Sequence, residues 1–228
     1  PDFQGVWDRR TITPLERPER LAGKAFLTAE EIIAYEQASA ARPDGRPLDA
    51  RRAGISVHDP QDLDYGSTVL ATGQTSLIVD PPDGRIPAYT QAADERAAIA
   101  AKLRESRGSA DSWTDRSLNE RCLTWGMPNG MLPQAYNNNI QIIQTPNEVM
   151  ILTEMVHDAR IIPLDGRPHL PKNITQWHGD ARGHWEGETL VIETTNFSAK
   201  SSFRRSSSNL QLEERYTRTD EGMLQYEF

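Results

Sequence analysis

The run of residues 136–197 holds most of the histidines and gathers carboxylates, amides and arginines where the apolar pattern is strongest. His157 carries an imidazole, Tyr136 a phenol and Arg160 a permanent cation. Such groups can move a proton while an amide or a guanidinium stabilises a developing oxyanion, as a lyase or an isomerase requires. The catalytic candidates are therefore His157, Tyr136, Arg160, Glu154 and Asp158.

A second set of polar and aromatic residues is predicted to contact a ligand. Three consecutive asparagines follow Tyr136, and their amides can hold a carbonyl or a carboxylate. The same run is also a good turn former, because asparagine tolerates left-handed backbone angles. The irregular stretch 111–135 is rich in tryptophan and methionine, which in a loop either floor a pocket or pin the loop to the core. The predicted ligand-binding residues are Asn137, Asn138, Asn139, Trp125 and His169.

The histidines lack the spacing of an established metal site. A two-histidine, one-carboxylate set could be built from His157 and His169. Its carboxylate would be Glu154 or Asp158, but the HxxxH and HExxH patterns are absent. Cys122 is the single cysteine, which excludes an intrachain disulfide and a zinc site built from several cysteines. We predict no metal and no cofactor.

The apolar pattern around these residues predicts how a strand would position them. From Val149 to Ile161 apolar residues occupy both faces of an extended segment, as is typical of a central strand covered on both sides. In that strand Glu154, Asp158 and Arg160 share a face, and Arg160 can pair with Asp158. His157 falls on the other face, where lost hydration would keep its imidazole neutral, the form a general base needs. The alternative is a core histidine bonded to a backbone carbonyl.

The rest of the chain predicts a mainly β protein with two peripheral helices. Thr28 and Glu31 have the spacing of a capping box that starts one helix, and residues 91–107 predict a second, weakly amphipathic one. The fold class is mainly antiparallel β, barrel-like or sandwich, and α+β overall. Strands are predicted at 3–7, 75–80, 149–161, 189–196, 210–216 and 223–228.

We expect one β-rich domain over residues 1–228. Residues 1–74 would supply an N-terminal arm, a helix and most of a long loop over 43–75. Residues 75–228 would supply the β core, including the helix at about 91–107. A chain of 228 residues can bury a real core. The hydrophobic share of 37% predicts long polar loops around that core.

Composition limits the partners of this chain. The 33 acidic and 25 basic residues give a net charge of −8, which repels a phosphate backbone and an anionic membrane surface. We therefore expect no nucleic acid partner, and the lack of a long apolar run predicts no membrane span. The composition does not exclude a small-molecule ligand. A strand that stops at Phe228 leaves an apolar edge unpaired, which predicts a protein partner at this C-terminal edge or a natural chain that continues.

Two motifs and the opening of the chain carry a resemblance to a known family. Glu154 to Pro171 (EMVHDARIIPLDGRPHLP) and Trp185 to Phe197 (WEGETLVIETTNF), with the opening PDFQGVW, resemble a family of uncharacterised bacterial proteins. Its members are exported, so the resemblance implies a periplasmic or secreted β-rich protein made with a signal peptide. It brings no catalytic residues. Members often lack both histidines in the stretch that resembles 177–185, so His178 and His184 are not selected as candidates.

Three hypotheses about function remain open. The first is an exported β-barrel-like protein that binds a small, mostly apolar molecule and could perform lyase- or isomerase-type acid/base chemistry with His157, Tyr136 and Arg160. The second is a non-catalytic binding or assembly module that recruits a partner through its C-terminal β edge. The third is a carbohydrate-active lyase or hydrolase that also uses Glu154, although Glu154 and His157 fall on opposite faces of the predicted strand. We favour the first.

Overall fold

The fold is known from a computed structural model that describes residues 1–42, 46–49, 63–201 and 203–228. Residues 43–45 and 50–62, about half of the predicted loop at 43–75, therefore lie outside the described residues. The described chain forms two compact units. The larger comprises Pro1–Asp8, Tyr89–Leu132 and Asn139–Phe228, and the smaller comprises Arg9–Ala88 and Pro133–Asn138. That these units fold as one domain over 1–228 stays a prediction.

The larger unit contains two antiparallel sheets of four strands each. The first sheet has the order β1-β2-β3-β4, with β1 Gly5–Asp8, β2 Asn139–Gln144, β3 Glu148–Thr153 and β4 Ala159–Pro163. The second has the order β5-β6-β7-β8, with β5 Asp180–Glu186, β6 Thr189–Thr195, β7 Leu212–Asp220 and β8 Met223–Glu227. The mainly β, antiparallel prediction is confirmed. Within the described residues the sheets do not close into a barrel, and each keeps two edge strands.

One hydrophobic core joins the two sheets. Buried and exposed positions alternate along β2 and β3, as expected for strands with one covered face. Fully burying a large aliphatic side chain in such a core stabilises the fold by about 1.5–3 kcal/mol. The first sheet contributes Ile140, Ile142, Val149, Ile151 and Ile162, and the second contributes Leu190, Ile192, Leu212 and Tyr216.

The predicted single strand from Val149 to Ile161 is wrong, because this segment forms two strands. β3 ends at Thr153 and β4 begins at Ala159, and the two pair as an antiparallel hairpin. Between them Val156 and His157 adopt left-handed φ angles of 58° and 45°. A β-branched residue is rarely found there, so no local residue preference signals this reversal. The apolar residues on both sides of the turn therefore looked like one continuous strand.

The second sheet follows the predicted strands more closely. β6, β7 and β8 overlap the segments predicted at 189–196, 210–216 and 223–228. Residues 183–186 complete β5, which lies outside the predicted strands and pairs with β6 from Asp180 and Thr195 to Glu186 and Thr189. Among the described strands β8 pairs only with β7, so the protein partner predicted at this edge stays a prediction.

Helices make a small contribution to the fold. In the smaller unit α1 spans Ala29–Ala40, and the predicted capping box is confirmed: Thr28 Oγ1 accepts from the Glu31 N–H while the Glu31 carboxylate accepts from the Thr28 N–H. In the larger unit α2 spans Gln91–Arg104. Within the described chain no helix is long and apolar enough to cross a membrane. Short 3-10 turns occur at Glu19–Leu21, Trp113–Asp115, Asn129–Met131, Met155–His157 and Ala199–Ser201.

The strand predicted at 75–80 is also wrong. Gln74 forms an isolated bridge with Phe26, but the following residues form no ladder. The amides of Leu77 and Ile78 instead bond the carbonyls of an irregular segment that begins at Pro14. Proline has no N–H to donate, which limits regular pairing with that segment.

Candidate functional site

Three polar side chains from distant parts of the sequence meet in the larger unit. His178 Nε2 lies 2.6 Å from the hydroxyl oxygen of Thr124 and 3.1 Å from Oδ2 of Asp158. The Thr124 hydroxyl also lies 2.9 Å from Asp158 Oδ2. We call this group the Thr-His-Asp cluster. Thr124 comes from the irregular stretch after α2, Asp158 from the turn between β3 and β4, and His178 from the segment before β5.

The contacts of the cluster determine where its protons lie. The Gly126 N–H donates to Thr124 Oγ1 at 2.8 Å, and the Trp125 N–H donates to Asp158 Oδ2 at 2.9 Å. A lone pair on His178 Nε2 would face the Asp158 carboxylate, so the arrangement that satisfies both groups has the proton on Nε2. The His178 Nε2–H then donates to Thr124 Oγ1 and Asp158 Oδ2, and the Thr124 hydroxyl donates to Asp158.

The carboxyl of Asp158 is stabilised in its ionised form. Its partial burial raises the pKa, but the hydrogen bonds from His178, the Trp125 amide and Thr124 outweigh burial and leave the pKa below its ordinary value. The side chains of Asp158 and His178 are 12% and 20% exposed, so water reaches the cluster only in part. A charged Asp158 can therefore hold the His178 ring in one orientation.

Two cavities adjoin the cluster. The first has a volume of about 300 Å³, and its wall includes Thr124 and Trp125. The second has a volume of about 650 Å³, and its wall includes His178. Lys200 lines both, and the contact between Thr124 and His178 joins their walls. Both volumes lie in the range of about 300–1,000 Å³ that ordinary ligand pockets occupy.

The first cavity is suited to an anionic group. Lys200 and Arg204 contribute positive charge to its wall, and no aspartate or glutamate is among the described residues that line it. The indole Nε1–H of Trp125 is buried and has no acceptor within the described part of the chain. An unsatisfied buried donor costs about 1–3 kcal/mol, a penalty that an acceptor reaching this N–H would remove. Apolar wall is supplied by Leu118, Met127 and Phe203.

The predicted catalytic residues are only partly brought together by the fold. Asp158 belongs to the cluster, but His157 is exposed in the β3–β4 turn, not desolvated in a row of apolar side chains. Glu154 is also exposed, and its carboxylate accepts from the backbone and side-chain amides of Asn139 at 3.1 and 3.0 Å. The Glu154–Asn139 contact ties the end of β3 to the start of β2.

Arg160 does not pair with Asp158 as predicted, because it points into the core. Its guanidinium forms two hydrogen bonds with the Glu214 carboxylate, and both side chains are almost fully buried. Burial lowers the pKa of Arg160, but the charge of Glu214 outweighs burial and raises it overall. The Tyr226 hydroxyl donates to Glu214 Oε1 at 3.0 Å, and burial, followed by that carboxylate, raises the pKa of Tyr226. Arg160 is therefore a buried structural residue that pairs with Glu214.

Tyr136, Asn137 and Asn138 belong to the smaller unit. Asn137 has a left-handed φ of 56°. Asn138 is buried, and its side-chain amide bonds the backbone of Gln134 and of Asp64. Two of the three consecutive asparagines thus form and hold a turn, which is the alternative that the sequence left open.

His169 is the last predicted ligand-binding residue. Its Nδ1 lies 3.0 Å from Asp180 Oδ2, and the same oxygen accepts from the Leu170 N–H at 2.9 Å. Arg182 bonds the other oxygen of Asp180 at 2.8 Å. These contacts fix the start of β5. Among the described residues no group of three or more histidine, cysteine or acidic side chains could hold a metal ion.

Comparison with protein-family models, with curated proteins and with solved structures found no match to this chain. The resemblance to exported bacterial proteins, and export itself, therefore stay predictions.

Sequence reasoning selected Trp125 and Asp158 and missed Thr124 and Lys200, and it rejected His178 because of the family resemblance. Thr124 and His178 are 54 positions apart and both lie in irregular segments, so no periodic pattern connects them. Lys200 follows a strand in a serine-rich stretch that looks like a linker. The available signal was the aromatic and methionine content of 111–135, which is typical of a loop that lines a pocket.

Proposed function

We propose that this protein binds a small organic acid in the cavity beside Trp125. The observation that carries the proposal is that Trp125, whose buried indole N–H has no acceptor, lines a wall that also holds Lys200 and Arg204 and no described carboxylate. The favoured hypothesis of a small-molecule binder is kept, but the proposed binding site is the cavity beside Trp125 and does not include His157, Tyr136 or Arg160.

Charge favours an acid over a neutral ligand. The chain as a whole carries a net charge of −8, so a local pair of cations without an acidic neighbour in the same wall is distinctive. No carboxylate among the described residues pairs with Lys200. Hydrogen bonds from charged donors to a carboxylate are roughly twice as strong as those between neutral groups. A carboxylate of the ligand would accept from Lys200 and from the Trp125 indole.

The remaining wall favours an apolar body of limited size. Met127 is almost fully buried at 2% exposure, and Leu118 and Phe203 complete an apolar side of the cavity. The volume of about 300 Å³ is at the small end for ligand pockets. We therefore propose a carboxylic acid with a single ring or a short alkyl chain.

Calorimetric titration with matched compounds tests this proposal. The probes are 3-phenylpropionate, its amide and the corresponding alcohol, which share one apolar body and differ in the head group. We expect the acid to bind at least about tenfold more tightly than either neutral compound, the size expected for a lost charged hydrogen bond. A panel of alkyl acids from butyrate to octanoate then finds the chain length that fits.

Matched variants locate the binding. Lys200→Ala and Trp125→Phe should each weaken binding of the acid by about tenfold, since each removes one donor. Lys172→Ala and Trp113→Phe are the controls, because both residues are exposed and line neither cavity. Failure of every acid in the panel to bind, or equal losses in the Lys200 and Lys172 variants, would overturn the proposal.

A further inference from the structure

We infer that His178 is a general base that removes a proton from a carbon acid through its Nδ1 atom, with Asp158 and Thr124 as positioning residues. The inference rests on the proposed function, because it requires an acid bound beside Lys200. The substrate class is a 2-oxo acid or a related carbonyl compound that carries a carboxylate and an acidic C–H bond.

The tautomer of His178 supports this role. Nε2 faces the Thr124 hydroxyl and the Asp158 carboxylate at 2.6 and 3.1 Å, so in the neutral ring the proton lies on Nε2 and the lone pair on Nδ1. Nδ1 has no hydrogen-bond partner among the described residues, and His178 lines the second cavity. A carboxylate on one ring nitrogen leaves the other nitrogen as an oriented base.

The surrounding groups favour the charged product of that step. When Nδ1 takes a proton the ring becomes an imidazolium, and Asp158 lies 3.1 Å from its Nε2. The Asp158 oxygen is itself held by the Trp125 N–H at 2.9 Å and by the Thr124 hydroxyl at 2.9 Å. These fixed donors keep the carboxylate aligned during the transfer, so little reorganisation is needed.

Lys200 supplies the complementary charge for the substrate. It lines both cavities, so Lys200 lies beside a ligand bound in either one. An imidazole can remove a proton from carbon only where a neighbouring carbonyl takes up the electron pair. The C–H bond breaks, its electrons form the enolate, and the negative oxygen is stabilised by Lys200. Return of the proton to carbon or to oxygen completes an exchange or a tautomerisation with no oxidant or reductant.

Enolisation of phenylpyruvate tests the inference, because this probe combines a carboxylate, a ring and an acidic C–H beside a carbonyl. The keto-to-enol rate is followed by ultraviolet absorbance, and exchange of the C–H in D₂O by proton NMR. Catalysis above the buffer rate is expected for the wild type. His178→Ala should lower kcat by about a hundredfold or more, the usual contribution of a positioned general base, while leaving KM nearly unchanged.

Controls separate chemistry from folding. His184→Ala should keep the wild-type rate, since His184 is an exposed histidine that contacts Glu186 and lines neither cavity. His178→Gln keeps a donor toward Thr124 and should remain folded yet inactive. Added imidazole should restore part of the rate in His178→Ala after the rate without protein is subtracted. Asp158→Asn should lower kcat without abolishing binding, which a merely structural residue would not do.

The outcomes distinguish the inference from the proposed function. If phenylpyruvate, 3-phenylpropionate and every alkyl acid of the panel fail to bind in calorimetry, the proposed function fails. If phenylpyruvate binds but is not enolised faster than in buffer, the binding site stands and the role of His178 as a base is overturned. Equal rates in the wild type and in His178→Ala would also overturn it.

Discussion

Arg160 on β4 and Glu214 on β7 form a two-pronged ion pair across the core, with Nη1–Oε1 and Nη2–Oε2 distances of 3.0 and 2.5 Å. The pair links the first sheet to the second. The hydroxyls of Tyr216 and Tyr226 lie 3.5 and 3.0 Å from the same Glu214 oxygen. Arg160, a catalytic candidate in the sequence, therefore fixes the position of the first sheet relative to the second.

Removing one member of this ion pair should strongly destabilise the fold. Arg160→Met leaves the Glu214 charge buried without its partner, and breaking such a pair costs about 3–5 kcal/mol. The free energy of unfolding is measured by urea denaturation. The double variant Arg160→Met/Glu214→Leu should recover most of the loss, because it leaves no uncompensated charge.

The matched control is an exposed ion pair of the same chemistry. Arg215 contacts Glu213 and Glu186 on the outside of the second sheet. Arg215→Ala should change the free energy of unfolding by no more than about 1 kcal/mol. A loss of similar size for Arg160→Met would show that the buried pair has no special role.

Gly183 on β5 packs closely against side chains at the end of β4. A Cβ atom at this position would lie 2.7 Å from Leu164 Cδ2 and 2.9 Å from Ile162 Cγ2. Gly183→Ala should therefore destabilise the fold by about 1–3 kcal/mol through overpacking. In Gly222→Ala the new methyl group would meet no atom within 4 Å, so this variant is the control and should be neutral in the same denaturation experiment. Equal stability of the two variants would contradict the packing described for the sheets.

Asp158 should make stability depend on pH in the acid range. Because its folded pKa lies below the ordinary value of 3.8, its contribution is fully present above that value and is lost as the pH falls through the folded pKa. The free energy of unfolding is measured for the wild type and Asp158→Asn between about pH 5 and pH 2. We expect the advantage of the wild type to shrink as the pH falls. A difference that stays constant over this range would contradict the ionised, hydrogen-bonded state of Asp158.

Features with a local cause could be predicted from the sequence. The capping box of Thr28 and Glu31 depends only on residues three positions apart, and it forms as predicted. The hairpin of β7 and β8 was also predictable, because a polar turn at Asp220 separates two alternating segments.

Features that depend on tertiary packing could not be predicted. The reversal at Val156 uses a backbone angle that valine disfavours, so only the surrounding structure can impose it. The partner of Arg160 is 54 positions away on β7, whereas the sequence suggested a carboxylate two positions away. The contact of Thr124 with His178 is equally distant in the chain and has no pattern of its own.

The indole N–H resonance of Trp125 gives the most direct test of the proposed binding site. In a ¹H–¹⁵N NMR titration with 3-phenylpropionate, this resonance should move saturably because the N–H gains an acceptor, while that of the exposed Trp113 stays in place. The spectra of Trp125→Phe and Trp113→Phe assign the two signals, and the matching alcohol should cause a much smaller shift. A Trp125 resonance that does not move at acid concentrations that saturate binding would contradict the proposed site.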